Sequence, residues 1–496
     1  MNKKLISAAV LLGMSGAATA VHVNPDGKGQ VLLYPYYTVN GGKDTYFHVV
    51  NTTNEYKAVK VRINEGVNTW EALDFNLYLS PYDVWAGGLT MGEDGVPELY
   101  TPDTSCTAPA INGRVDLRTF NIDSYAQDQE PAAFDDIDPV ERLAEGHIEM
   151  IEMGIIEDDA DPATAALIKT YIKHVNGVPG DCEALVDLFR SGPWATNEAQ
   201  FLHAPTGGLF GTAEIIDVAN GIDRGYSATA IADFWDLDAA TDATNAHTFP
   251  GTSYPNLNGQ TVQAGTLLVM GSVDADIAYT DAAGAQAVVN DAGLGSTVEA
   301  LSAALSVASL SNQFYVADSV NGATDWVVTF PTKHFFVNGD STAADFKSGQ
   351  FGLDPTPGPL EADVFNGLAP FDNGFAVDIE MSLYDREEET VTADIDFSPS
   401  GTNTGRMLFE VNVLEFAADR SVLDSTLASQ INVPAGWQAG WAQLDFSAQQ
   451  VTGATLAGMP AIGFAAQAAQ NGTLGGGSTL ANYAALFDHV YGKALP

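Results

Sequence analysis

The 496-residue chain carries 64 acidic against 20 basic side chains, a net charge of −44, yet 46% of its residues are apolar and 10% aromatic. That apolar content separates it from disordered acidic chains, and its charge excludes partners held by attraction to phosphate, namely nucleic acid and anionic lipid surfaces. The length predicts two to four folded units.

Residues 1–20, MNKKLISAAVLLGMSGAATA, join a Lys-bearing head, an apolar run through Leu12 and the small-residue end Ala18-Thr19-Ala20. This is the pattern of a secretory signal peptide cut after Ala20, and it predicts a mature protein outside the cytoplasm. Losing Lys3 and Lys4 leaves 18 basic against 64 acidic side chains, a net of −46. Cys106 and Cys182 are the only cysteines. In an oxidising compartment they predict a disulfide, worth about 4 kcal/mol in the loop-entropy model for the roughly 75 residues enclosed.

From Gln30 to Trp85 the runs VLLYPYYTV, TYFHVVNTT, KAVKVRINE and ALDFNLYLS have strand length and composition and are separated by turn clusters. In KAVKVRINE, Lys57, Val59, Val61 and Ile63 alternate with Ala58, Lys60, Arg62 and Asn64, which predicts a half-buried strand with one wet face. With no helical pattern between these runs, the expected class is mainly β: antiparallel β-sandwich-like domains with a few inserted short helices. Met91 to Pro139 reads as a loop or link ending in acidic sequence.

Gly146–Ile155 predicts a strand, and apolar spacing predicts short helices over Ala163–Tyr171 and Cys182–Phe189. A hairpin is expected around Asn220-Gly221, and a helix beside the sheet over Val298–Leu310. TDWVVTFPTKHFFV reads as a strand whose Pro331 sits at an edge or bulge. Strand chemistry returns in FAVDIEMSLYD, RMLFEVNVLEFA and AGWAQLDF after a Gly/Pro-rich boundary at Ser341–Ala369. The Ala/Gly-rich stretch Ala454–Ala469 is interrupted by Pro460 and reads as a packed element, so no transmembrane segment is expected after the leader. The expected divisions are a signal peptide at 1–20, an N-terminal β domain with acidic linker at 21–139, a central β-rich domain with helical insertions at 140–350, and a C-terminal β-rich region at 351–496 packed with the N-terminal one.

The blocks Val31–Val39, Val49–Thr53, Lys57–Gly66 and Asp74–Trp85, with the late segment DIEMSLYDREE at Asp378–Glu388, resemble a family of uncharacterised exported proteins of Gram-negative bacteria. Some members are labelled cell-surface proteins. The resemblance implies export and a strand-rich body and brings no reaction or catalytic residue with it.

No catalytic motif stands out. GYSAT at Gly225–Thr229 lacks the second glycine of a nucleophile elbow, and the eight histidines occur singly. Glu145, His147 and Glu149 share one strand face, either as a solvated surface or as two carboxylates and an imidazole facing a cation. Asp135, Asp136 and Asp138, then Glu157, Asp158, Asp159 and Asp161, then Asp236, Asp238 and Asp242 offer oxygen ligands for calcium, with Asp158, Asp159 and Asp161 the first choice. None matches the twelve-position calcium loop, and charge runs are usually solvated. Tyr34, Tyr36, Tyr37, Tyr46, Phe47, Trp70, Phe75, Tyr78, Tyr82 and Trp85 are expected mostly in a core, with exposed ones stacking on glycan or docking protein. The sequence therefore predicts a secreted or cell-surface acidic protein of structural, adhesion or matrix type, meeting extracellular protein, glycan or divalent cations. The alternative is an exported polysaccharide hydrolase using a carboxylate pair such as Glu380 and Asp385.

Overall fold

The computed structural model describes residues 20–118, 137–236, 244–281, 283–337, 369–371, 377–393, 395–397, 406–474, 477 and 479–495. They form a mainly β protein built from several antiparallel sheets with short helices.

Two sheets share the N-terminal sequence. An eight-stranded sheet has the strand order His22–Val23, Thr229–Ala232, Val31–Thr38, Glu145–Ile156, Lys57–Glu65, Glu71–Leu79 and Thr107–Ala108, with Leu202–His203 pairing beside Glu145–Ile156. A six-stranded sheet runs Ile222–Ser227, Leu209–Asp217, Asp44–Asn51, Val84–Met91, Pro97–Tyr100 and Arg114–Asp116. Leu32, Tyr34, Val59, Val61, Phe75 and Met150 of the first join Phe47, Val49, Trp85, Leu89 and Ile215 of the second in one apolar cluster. Phe47 and Phe75 each bring their rings within 5.6 Å of Trp85. Strands from both sides of residue 139 therefore share one sheet. The link expected over Met91–Pro139 contains three short strands within 97–116, and its acidic portion 119–136 lies outside the described residues.

The later sequence forms a five-stranded sheet, Thr390–Thr392, Glu380–Asp385, Ala439–Asp445, Ser309–Tyr315 and Val490–Gly492, and a second six-stranded sheet. The latter runs Ile395–Phe397, Ala428–Ile431, Val411–Glu415, Gly322–Thr329, Ile462–Leu474 and Thr479–Asp488, with one parallel pair, Val411–Glu415 on Ala428–Ile431. Its Val327, Val413 and Phe464 belong to the N-terminal apolar cluster, and Thr329 Oγ1 donates 2.6 Å to Pro35 O.

The expected short helices form at Pro162–Ile172 and Cys182–Arg190, each started by an aspartate, Asp161 and Asp181, that accepts a backbone N–H three residues on. The helix expected over Val298–Leu310 is shorter, Thr297–Leu305, and is buried at all nine positions, because Ser306 onward leaves it to pair as strand. The hairpin at Asn220-Gly221 is present, but its second half changes sheets: Ile222–Ser227 pairs in the six-stranded sheet and Thr229–Ala232 in the eight-stranded one. Pro331 lies neither at an edge nor in a bulge. Gly322–Thr329 is an interior strand that ends two residues earlier, so no ladder donor is lost at the proline. The boundary at Ser341–Ala369 falls almost wholly outside the described residues.

The wet face expected for Lys57–Glu65 is absent, since all nine residues are buried. The outward alternate residues meet opposite charges instead of water: Lys60 pairs with Asp74, and Arg62 bridges Glu71 at 3.3 Å and Glu149 at 3.2 Å. Segment 245–251 covers part of this face, with Asn76 Nδ2 donating 2.8 Å to Thr248 O and Gly251 N donating 2.9 Å to Asp74. Buried charges persist where they are paired, so polar alternation here marks a second buried layer.

Candidate functional site: a tyrosine-lined groove beside the disulfide

The disulfide Cys106–Cys182 is formed. It ties the 182–190 helix to the strand Thr107–Ala108 at the rim of the eight-stranded sheet, and Thr104 Oγ1 donates 3.2 Å to Gly177 O nearby. Three open hollows adjoin this corner. One of about 570 Å³ is lined by Tyr46, His48, Val84, Ala86, Pro102 and Asp103. A second, about 380 Å³, shares Pro102 and Asp103 and adds Tyr100, Asn112 and Cys182. The third, about 610 Å³, begins at Asp83, next to Val84, and includes Asn54, Tyr56, Ser80, Tyr82, Lys173 and His174. These volumes fall in the range of small-ligand sites.

The outer hollow contains Ser80, His174 and Asp83, and their geometry decides against nucleophilic catalysis. Ser80 Oγ donates to Asp83 Oδ2 at 2.9 Å, while His174 Nδ1 lies 3.3 Å from both Ser80 Oγ and Asp83 Oδ2. A proton relay needs serine and aspartate on opposite ring nitrogens, whereas here both approach Nδ1. Asp83 instead closes the turn, also accepting from the backbone N–H of Ser80 and Val84. Beside it Tyr82 adopts φ 59°, a left-handed conformation that costs a non-glycine residue about 1 kcal/mol or more, with its side chain 68% exposed.

In the middle hollow partial burial pushes the His48 imidazole below its ordinary value, opposed by the Glu214 carboxylate, so it is a neutral hydrogen-bonding group at neutral pH. Its Nε2 lies 3.1 Å from Thr212 Oγ1. Tyr46 and Tyr100 stand exposed on the same sheet face, and the Arg114 guanidinium lies 4.9 Å from the Tyr100 ring centre.

The aromatic residues divide between core and groove. Tyr34, Tyr36, Tyr37, Phe47, Phe75, Tyr78 and Trp85 are buried, and Tyr46 and Tyr82 line the hollows. Tyr56, Tyr100, Lys173 and His174 were not singled out in the sequence. Gly87-Gly88 inside a strand was the available signal, since glycine there marks close approach or an open floor.

Glu145, His147 and Glu149 are not a solvated face; all three are buried. Glu145 is saturated by Tyr36 Oη at 2.8 Å, Ser425 Oγ at 2.6 Å and the Thr426 N–H at 2.7 Å, and so fastens the 425–427 loop onto the N-terminal strands. His147 Nε2 is 3.3 Å from Glu149 Oε1, and Glu149 is held below the usual carboxylate range, its burial outweighed by Arg62 and His147. Asp158 Oδ1 accepts from the N–H groups of Ala160 and Asp161, Asp161 caps the following helix through Thr164, and Asp159 is exposed. Asp138 caps the Pro139–Arg142 turn, and Asp135, Asp136, Asp238 and Asp242 lie outside the described residues. Among the described residues no three His, Cys, Asp or Glu side chains group as a metal site. Glu380 and Asp385 are five positions apart on one strand and so on opposite faces. No helix among the described residues is long and apolar enough to cross a membrane.

The chain was compared with family models, with curated proteins and with solved structures, and it matches none of them.

Proposed function

We propose that the chain is an exported, surface-exposed acidic protein that acts in adhesion, matrix or envelope structure and binds what it meets without transforming it. The observation that carries this reading is the set of adjoining open hollows lined by Tyr46 and Tyr100 on sheet strands and by Tyr56 and Tyr82 on the loops beside them, with the Cys106–Cys182 bridge at one end, in which the serine, histidine and aspartate lie around a turn that Asp83 closes. A disulfide fits an oxidising compartment, and the leader-like residues 1–20 supply the route. The reading includes membership of the exported family whose strand blocks this chain resembles. It also takes the two N-terminal sheets as layers of an antiparallel sandwich, supported by the Phe75–Trp85 contact between them. The hydrolase reading has less support. Of the carboxylate pairs that face across ladders among the described residues, Asp325 with Glu415 has Asp325 fully buried and out of reach of a polymer, and Glu98 with Asp116 and Glu380 with Asp445 line none of the three hollows.

Cell fractionation with mass spectrometry of the N-terminus tests this. A mature chain beginning at Val21, recovered outside the inner membrane and removed by protease added to intact cells, is the expected result. Recovery in the cytoplasm with residues 1–20 intact would overturn it.

A further inference from the structure

The geometry points to a neutral, extended polysaccharide chain as the ligand of the Tyr46–Gly88–Tyr100 trough. The inference rests on the binding reading above and names the ligand class.

The trough follows from strand register. Glu214 faces Tyr46, Tyr46 faces Gly88, Gly88 faces Tyr100 and Tyr100 faces Arg114, so one row of side chains crosses five strands on the outer face of the six-stranded sheet. Neighbouring strands lie about 4.8 Å apart, which puts the two tyrosines about 10 Å apart with the glycine between them. That separation is comparable to the distance between alternate sugar rings in an extended glycan. The adjacent glycines have different tasks. A Cβ on Gly87 would stand 2.8 Å from the Trp85 ring, so Gly87 makes room in the core. A Cβ on Gly88 would meet nothing nearer than 3.8 Å, so the sheet tolerates a side chain there and glycine leaves the floor low.

The Tyr100 wall is braced. Arg114 lies over the Tyr100 ring and pairs with Glu98. Tyr46 is 39% and Tyr100 41% exposed, leaving apolar ring surface for the C–H face of a pyranose. His48 and Asp103 line the adjoining hollow with Tyr46, and Asp103 also lines the one with Tyr100; the imidazole and carboxylate suit hydroxyl groups, as acceptors and, for His48, a donor. The local carboxylates Asp103 and Glu214, in a chain of net charge −44, repel an anionic polymer, which selects a neutral one.

The test titrates the mature full-length protein with hexasaccharides of β-1,4-linked glucose and β-1,4-linked N-acetylglucosamine by calorimetry, with a hexagalacturonate as the anionic comparator. The expected result is binding of at least one neutral hexamer and no binding of the anionic one. Gly88→Thr, which raises the floor without displacing backbone, should weaken binding at least tenfold. Tyr46→Ala and Tyr100→Ala should each weaken it about tenfold, and Tyr483→Ser, exposed on the strand Thr479–Asp488 of another sheet and outside this row, should leave it unchanged. Melting curves matching the parent verify that each variant is folded. Absence of binding to either neutral hexamer at millimolar concentration, tighter binding of the anionic hexamer, or affinity unchanged in a folded Gly88→Thr would each overturn the inference. If the protein is exported yet ignores these sugars, only the ligand class falls; if it stays in the cytoplasm, the proposed function falls with it.

Discussion

Asp325 and Glu415 stand directly opposite one another on the paired strands Gly322–Thr329 and Val411–Glu415. Burial pushes Asp325 up to about 6, and burial with the Asp325 charge pushes Glu415 up to about 7. Asp325 Oδ2 nonetheless accepts from Ser421 Oγ and from the N–H groups of Val422 and Leu423, so the same carboxyl fastens the 421–424 loop. Two like charges facing across a ladder are unfavourable, and proton uptake relieves them.

The pH dependence follows from that direction. A carboxyl whose folded value is raised binds its proton more tightly in the native state, so its stabilisation is complete below about pH 4 and is lost as pH rises through 6 to 7. For fully buried Asp325, moved from 3.8 to about 6, the change is on the order of 3 kcal/mol. Asp325→Asn keeps an acceptor for the loop and should flatten the fall in melting temperature between pH 5 and 7.5 relative to the parent. Parallel pH slopes in the two proteins would show that the pair does not titrate in this window.

Lys57 and Glu152 form a fully buried ion pair at 2.5 Å, and Glu152 also accepts from the N–H groups of Thr206 and Gly207. Removing the cation alone leaves that carboxylate poorly neutralised, so Lys57→Met should destabilise by about 3–5 kcal/mol in urea unfolding. Lys57→Met with Glu152→Gln should recover part of the loss. A double variant no better than the single one would show that Glu152 acts through the loop contacts rather than through Lys57.

The bridge Cys106–Cys182, at a sequence separation of 76, should contribute about 4 kcal/mol by restricting the unfolded chain. Neither cysteine should alkylate in the native protein without reductant. Cys106→Ser with Cys182→Ser should lower the melting temperature and raise amide exchange first in the 162–190 helices. Uniform exchange over the whole molecule would mean that the insert does not open as a separate unit.

Salt should stabilise the protein. At a net charge of −44, self-repulsion is screened over about 3 Å in molar salt, so the melting temperature should be higher in molar sodium chloride than in water. Calcium matched for ionic strength with sodium should add nothing at Asp158 and Asp161, whose oxygens already accept backbone N–H groups. A calcium-specific rise abolished by Asp158→Asn would assign a metal site there.

Local chemistry made much of the body legible in advance. The apolar run VLLYPYYTV and the alternating KAVKVRINE became strands because composition and alternation are properties of the extended chain itself, and the three- and four-residue apolar spacing over Ala163–Tyr171 and Cys182–Phe189 became helices because that spacing lines one helical face. Two cysteines in a chain with a leader-like head sufficed for the disulfide. What lay beyond the sequence was decided by which surfaces meet. Lys60, Arg62, His147 and Glu149 looked like a wet face, because a single strand cannot show that Asp74, Glu71 and segment 245–251 will close over it. Likewise Tyr46, Gly88 and Tyr100 form one row only after three strands align in register. Side-chain polarity and backbone propensity are local and can be read from the chain, whereas register, burial of the second sheet face and convergence on a groove depend on contacts between residues far apart in sequence, and these only the tertiary structure decided.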